Sequence, residues 1–170
     1  MITRDQFLAA ISRERDICNH LFTKLNPDAY GYRPAEAMRS VGELLQYLSI
    51  CGIGAVRGML EGHYGHWEQL EQQAAAMPMK DFPAAMERQI EAIREALAPL
   101  NDDEFLTRTG PVPGVGSEIS LGEGLVRAAL EWLVAYRMQL FLYAKMVGNP
   151  QLNTVNCWAG RDPKPMPAEA

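Results

Sequence analysis

The chain has 170 residues, of which 48% are hydrophobic, and a formal net charge of −5 at pH 7. This length supports one domain with a well-filled core rather than two domains. The acidic balance, with Lys and Arg interspersed among Asp and Glu, argues against a nucleic-acid partner, because phosphate binding needs clustered basic residues.

We also expect no membrane segment and a cytoplasmic location. No apolar run approaches the ~20 residues needed to cross a bilayer, and the N-terminus lacks the basic start and apolar stretch of a signal peptide. The cysteines Cys18, Cys51 and Cys157 are widely separated and form no Cys-x2-Cys pair. Reduced, buried thiols are therefore expected, with a nucleophilic or metal-ligating Cys51 as the alternative.

Helix one is predicted over residues 3–25. Thr3 and Gln6 form a capping box at its start, and apolar residues recur at helical spacing until Asn26-Pro27 interrupts the pattern. The proline-containing and glycine-containing residues 26–37 are then predicted to form a linker.

Helix two is predicted over residues 40–60, with Ser40 and Glu43 as its capping box. Its second half contains several small residues, including Gly54 and Gly58, and each helical glycine is roughly 1 kcal/mol less favourable than alanine. Close approach of another helix would offset this, either inside the protein or across a dimer interface.

A polar connection over residues 61–80, with a short helix inside it, leads to helix three. Asp81 is its predicted cap, and Pro83 lies in the first turn. Apolar residues then step by four and three up to Leu100, which is the cleanest amphipathic pattern in the chain. Residues 101–117 are predicted to form a loop.

Ser120 and Glu123 are predicted to form a third capping box, at the start of the longest predicted helix, residues 121–147. No strand pattern competes with these helices, so the sequence predicts an all-α protein, an antiparallel four-helix bundle. The bundle is expected to occupy residues 1–148, and residues 149–170 are expected to form an irregular tail that packs on it.

Two of the helical segments resemble a known family. Residues 39–48 read Arg-Ser-Val-Gly-Glu-Leu-Leu-Gln-Tyr-Leu, and residues 131–143 read Glu-Trp-Leu-Val-Ala-Tyr-Arg-Met-Gln-Leu-Phe-Leu-Tyr. They are similar to the second and fourth helices of the DinB/YfiT-like superfamily of metal-dependent proteins, whose bundle has up-down-down-up topology. The matching residues are Ser40, Gly42, Glu43, Leu44, Leu45, Arg137, Gln139 and Leu140.

The resemblance places the family's three metal-binding histidines at Tyr47, Trp132 and Tyr136 of this chain. A catalytic metal needs three protein ligands, but an indole nitrogen is only a hydrogen-bond donor. Tyrosine, with a pKa near 10, is a poor ligand for zinc or nickel at neutral pH. We therefore expect no metal cofactor here, and the hydrolase or low-molecular-weight-thiol transferase activity of metal-containing relatives is not carried over.

Three interpretations of this position stay open. The aromatic residues fill the volume as ordinary core, or they line a residual pocket for a small apolar or aromatic ligand, with Glu43 and Cys51 beside it. In the third interpretation the metal site has moved to His63 and His66 with Cys51 or Glu61. That arrangement would give an altered hydrolase or thiol transferase.

The first hypothesis is thus a DinB-like bundle without the family's metal site. It predicts a non-catalytic small-molecule-binding or interaction protein with no catalytic residues, and zinc or nickel is the family-type alternative. A homodimer is expected, both from the resemblance and from the face of helix two that carries Gly54 and Gly58.

Overall fold

The computed structural model describes residues 2–164, and this part of the chain is mostly helical. None of its helices is both long enough and apolar enough to cross a bilayer. In chain order the elements are α1 (Arg4–Phe22), α2 (Val41–Leu48), α3 (Cys51–Glu61), α4 (Trp67–Ala75), α5 (Phe82–Leu97), α6 (Asp102–Thr107), β1 (Thr109–Gly110), β2 (Ile119–Ser120), α7 (Leu121–Leu125), α8 (Glu131–Met146) and α9 (Thr154–Ala159).

The long helices enclose one apolar core. Helix α1 packs against α5 and α8, α3 packs against α5, and α2 packs against α8. Burying a large aliphatic or aromatic side chain contributes roughly 1.5–3 kcal/mol, so this core is the main source of stability. Its fully buried members include Phe7, Ile11, Leu21, Leu44, Leu48, Phe82, Leu97, Phe105, Leu133 and Leu140.

Two predicted capping boxes fix where helices begin. The Thr3 hydroxyl accepts from the backbone N–H of Gln6 at 3.2 Å, and the Gln6 side chain accepts from the Thr3 N–H at 3.0 Å. Ser40 and Glu43 exchange the same pair of bonds at 3.2 and 2.7 Å. Each box satisfies backbone donors that the first helical turn leaves without partners.

The predicted helix two is in fact two helices, α2 and α3, with a break at residues 49–50. Gln89, a buried residue of α5, fills the break. Its side-chain oxygen accepts from the N–H groups of Gly52 (2.8 Å) and Ile53 (3.2 Å), and its nitrogen donates to the carbonyl of Leu48 (3.0 Å). Backbone groups freed by the break thus find partners on another helix, as buried groups require.

The predicted loop over residues 101–117 contains helix α6 and leads into a short hairpin. Asn101 and Glu104 form a capping box for α6, and Thr109 pairs with Ser120 between β1 and β2. The expectation that no strands occur is therefore wrong at this point. Two-residue strands are too short to produce an alternating sequence pattern.

The last long helix begins at Leu121, as predicted, but its hydrogen bonding changes along its length. Residues Val126–Leu130 are π-helical and join α7 to α8. A π segment accommodates extra backbone within a helix, and such segments are frequent at functional sites. Trp132 is the second residue after this segment, in the first turn of α8, so the π segment affects the direction in which its side chain points.

The predicted tail contains helix α9, which packs on α1 and α8. Residues 165–170 of that tail lie outside the described part of the chain.

The side chain of Arg137, on α8, links the tail to the long helices and is only 1% exposed. It donates to Glu14 of α1 (2.5 Å), to the Cys157 carbonyl (2.7 Å) and to the Cys157 sulfur (3.2 Å), and lies over the ring of Trp158. We call Glu14, Arg137, Cys157 and Trp158 the Arg137 network. It ties the tail to the helices.

Candidate functional site

Four aromatic side chains from three helices meet at one side of the protein. The rings of Tyr47 (α2) and Tyr136 (α8) have centroids 4.6 Å apart. Trp67, the first residue of α4, lies 5.9 Å from Tyr47 and 5.9 Å from Trp132 of α8. We call these four residues the aromatic cluster. Trp132 and Tyr136 are one turn apart on α8 and therefore share a face of that helix.

Arg39 covers the tyrosine side of this cluster. Its guanidinium carbon lies 4.0 Å from the centroid of the Tyr47 ring and 5.5 Å from that of Tyr136. Both distances are within the range of a cation–π interaction. Within residues 2–164 the guanidinium has no carboxylate partner and no hydrogen bond, so its donors remain available.

Ionisation of the groups around Tyr47 is suppressed. Burial raises the pKa of the Tyr47 phenol far above its usual value, and the nearby Cys51 thiol and Tyr136 raise it further. Burial likewise raises the pKa of Cys51 to about 12. Cys51 is fully buried, with its sulfur 3.8 Å from the Leu48 carbonyl. The geometry therefore gives Cys51 no feature of a reactive thiolate, which needs a lowered pKa and access to solvent.

These residues do not fit a divalent metal. Trp132 has no lone pair to offer, and the raised pKa of Tyr47 disfavours the phenolate that would be needed as a ligand. The Arg39 cation on the Tyr47 ring adds repulsion to an incoming metal ion. None of the chain's three histidines, His20, His63 and His66, lies on α2 or α8.

A groove with a volume of about 150 Å³ opens beside Tyr47, between α2 and α4. Glu43 lines it but is engaged elsewhere: its carboxylate pairs with Arg33 at 2.8 Å and caps α2. The hydrogen bond from Arg33, followed by the Ser40 backbone bond, lowers the pKa of Glu43. The groove is lined by Arg39, Glu43, Gln46, Tyr47, Ile50, Glu71, Ala74 and Ala75.

The structure does not bring all five residues that the sequence suggested for a pocket into one groove. Tyr47 and Glu43 line this groove. Trp132 and Tyr136 belong to the aromatic cluster, which also contains Tyr47, and Cys51 is fully buried in the core.

Trp67 is the residue of this site that sequence reasoning missed, because it lies in the connection predicted to be polar. The glycines of α3 were the sequence signal that could have indicated it, because they leave room for an aromatic ring against the helix. A Cβ atom at Gly54 would lie 2.4 Å from the Trp67 ring, and one at Gly58 would lie 2.3 Å from the Tyr64 ring. Aromatic side chains of the same chain therefore cover the glycine face, so this face no longer supports a dimer interface.

A second group of side chains, which carry atoms able to bind a metal ion, lies at the end of α3. Within the described residues, Glu61, His63 and His66 each place one ligand atom within 4.8 Å of the others. Cys51, the other partner considered for these histidines, is not part of the group. We call Glu61, His63 and His66 the histidine cluster.

Comparisons with known proteins agree with the fold. The family model that matches residues 10–132 is that of the DinB superfamily. The uncharacterised protein YjoA of Bacillus subtilis (strain 168) is 20% identical over 152 residues, which cover 89% of this chain and 96% of that protein. The crystal structure of the DinB-like protein YjoA from Bacillus subtilis matches with a TM-score of 0.63 and 22% identity, over 84% of this chain and 92% of that chain. At this identity the structural match shows the fold alone.

Proposed function

The chain belongs to the DinB superfamily, and on that basis we propose that it is a non-catalytic protein that binds a small organic ligand beside Tyr47. In this proposal Tyr47, Trp132 and Tyr136 occupy the positions of the family's metal-binding histidines. The helices would follow the family's up-down-down-up order. The proposal does not carry over the metal-dependent activity, because the donor atoms present do not suit a metal.

The observation that carries the proposal is the half-buried side chain of Arg39. Its guanidinium carbon lies 4.0 Å from the centroid of the Tyr47 ring, yet its donors have no partner within residues 2–164. Arginine binds carboxylates through two parallel hydrogen bonds, and a preoriented guanidinium does so with little loss of freedom. This favours a ligand with a carboxylate or a similar acceptor group.

Both carboxylates on the groove have hydrogen-bond partners of their own. Glu43 is neutralised by Arg33, and Glu71 accepts from the indole N–H of Trp67 at 3.0 Å. The remaining lining is the Tyr47 ring, the Gln46 amide, which donates to the Ala75 carbonyl at 3.2 Å, and the apolar side chains of Ile50, Ala74 and Ala75. A volume of about 150 Å³ suits one aromatic ring, since a designed cavity of about that size binds benzene. We therefore propose a single-ring aromatic carboxylate as the ligand class.

The test is a calorimetric titration with benzoate and phenylacetate, with benzyl alcohol as the neutral comparison. The carboxylates should bind more tightly than the alcohol. Arg39→Gln should remove most of this preference, because a hydrogen bond to a charged group contributes about 1.5–3 kcal/mol. In thermal unfolding, a carboxylate at a concentration of about 100 Kd should add about 2.7 kcal/mol of stability.

Arg88→Gln is the matched control. Arg88 is an exposed arginine that lines the neighbouring groove but not this one, so its replacement should leave carboxylate binding unchanged. Equal binding of benzoate and benzyl alcohol, or equal losses in the two variants, would contradict the assignment to Arg39.

We also propose the homodimer, now from family resemblance alone. Sedimentation equilibrium checks it directly, and a monomer at all concentrations would exclude it. The alternative function, a metal-dependent hydrolase or thiol transferase with a relocated site, draws on the histidine cluster, which has ligand types that the aromatic cluster lacks.

A further inference from the structure

The histidine cluster forms because the chain reverses direction at the end of α3. Glu61 is the last residue of α3, and Gly62 follows with φ of 77°, a left-handed conformation that glycine adopts without strain. This turn leads the chain back past the helix end, so that His63 and His66 come near Glu61. His63 and Glu61 are exposed, whereas the side chain of His66 is 11% exposed.

The two ring nitrogens of His66 face two different acceptors. Nε2 lies 3.0 Å from the carbonyl oxygen of Gly54, and Nδ1 lies 3.2 Å from a carboxylate oxygen of Glu61. The carbonyl can only accept, and its contact is the shorter of the two, so we assign the proton of the neutral ring to Nε2. The lone pair of Nδ1 then points at an oxygen that is also only an acceptor. A positive species is needed between them, either a second proton on the ring or a metal ion.

The presence of His63 favours a metal ion over a second proton on His66. A proton would satisfy Glu61 and His66 alone, but His63 adds another imidazole within 4.8 Å of both. The lone pair on its Nδ1 is held only by the exposed N–H of Gly65, at 3.2 Å. Two imidazoles and a carboxylate form one of the known catalytic zinc ligand sets, and imidazole selects zinc, nickel or copper over magnesium.

The spacing suits such an ion. With bonds of about 2.0–2.1 Å, two ligands of a tetrahedral zinc ion lie roughly 3.3 Å apart. The Glu61–His66 pair is already at 3.2 Å, and the exposed His63 side chain can close the remaining distance by rotation. The hydrogen bond from Nε2 to the Gly54 carbonyl is the kind of outer contact that orients metal-binding histidines.

We propose that Glu61, His63 and His66 bind one zinc-type divalent transition-metal ion, with Nδ1 of His66 as a ligand and a coordination position left open to water. The ion would tie the end of α3 to the connection that carries Tyr64 and Trp67. These two side chains pack on Gly58 and Gly54 of α3, so the metal would hold part of the aromatic cluster in place. The site does not depend on any ligand beside Tyr47.

The experiment uses the untagged full chain, freed of metal with a chelator and titrated with Zn²⁺ against a chromophoric competitor. We expect one equivalent of zinc to bind and Mg²⁺ not to compete. Glu61→Gln and His63→Gln should each weaken zinc binding by about 100-fold or more, because even outer contacts of metal ligands contribute 10–100-fold. Both side chains are exposed, so both variants should fold.

His20→Gln is the matched control, because it removes the one histidine outside the cluster, and it should leave zinc affinity unchanged. Nitrogen NMR gives a second readout: zinc should shift Nδ1 of His66 while the proton on Nε2 is retained. Absence of stoichiometric zinc binding would overturn the proposal. So would equal losses in His20→Gln and His63→Gln, or a doubly protonated His66 that persists when zinc is added.

Discussion

Two arginines in this protein have opposite surroundings. Arg137 is 1% exposed, and Glu14 and Cys157 occupy its hydrogen-bonding groups. Arg39 also lies on aromatic rings, but its donors have no partner within residues 2–164. The first arginine has the environment of a structural element and the second that of a recognition group. A family resemblance that contains Arg137 therefore indicates shared architecture rather than shared chemistry.

The largest expected effect tests this division directly. Arg137→Met should destabilise the protein by about 3–5 kcal/mol, because it leaves the Glu14 carboxylate buried without its partner. Arg39→Met is the matched control and should lower stability by only about 0.5–1 kcal/mol, the size of an exposed cation–π interaction. Urea unfolding measures both. Similar losses in the two variants would remove the distinction between the two regions.

A second prediction concerns the packing of the aromatic cluster on α3. Gly54→Ala places a methyl group 2.4 Å from the Trp67 ring, so the ring must move. Overpacking of about 1–3 kcal/mol, partly offset by the better helix propensity of alanine, should give a net loss of about 1–2 kcal/mol. Carboxylate binding should weaken as well, because Trp67 positions Glu71 and contacts Tyr47.

The control for that change is Gly116→Ala, where a Cβ atom meets nothing within 4 Å. It should leave both stability and binding unchanged. If Gly54→Ala were neutral or stabilising, Trp67 would not be held against α3 as described.

The smallest change in stability is expected for replacement of Glu43. This variant tests whether the Glu43 side chain stabilises α2 or takes part in ligand binding. Glu43→Gln should lower stability at pH 7 by about 0.5 kcal/mol, the size of an exposed ion pair. Glu43 has a lowered pKa in the folded protein, mainly through Arg33. Its contribution is therefore complete above the ordinary value of 4.5 and disappears as the pH falls through the lowered pKa.

Unfolding measured at pH 7 and in acid should show the difference between Glu43→Gln and wild type vanishing at low pH. Benzoate affinity should stay nearly unchanged. A large loss of affinity in this variant would instead assign Glu43 to the ligand.

Local signals predicted much of the helical framework, because capping boxes and apolar spacing act over a few residues. Thr3 and Ser40 begin their helices as predicted. The break between α2 and α3 was not predictable in this way, because Gln89, which stabilises it, lies 37 residues from Gly52 along the chain. Trp67 was missed for the same physical reason: only the tertiary structure brings it onto Gly54 and between Tyr47 and Trp132.

The placement of the three tryptophans has a practical consequence. Trp67 and Trp132 meet edge to face in the aromatic cluster, whereas Trp158 lies under the Arg137 guanidinium in the other region. In a Trp158→Phe protein, excited at a wavelength that only tryptophan absorbs, all the emission would come from Trp67 and Trp132 of the aromatic cluster. The emission of this variant would follow events beside Tyr47 without an added dye. In the unmodified protein, the additional emission of Trp158 would follow release of the tail from Arg137.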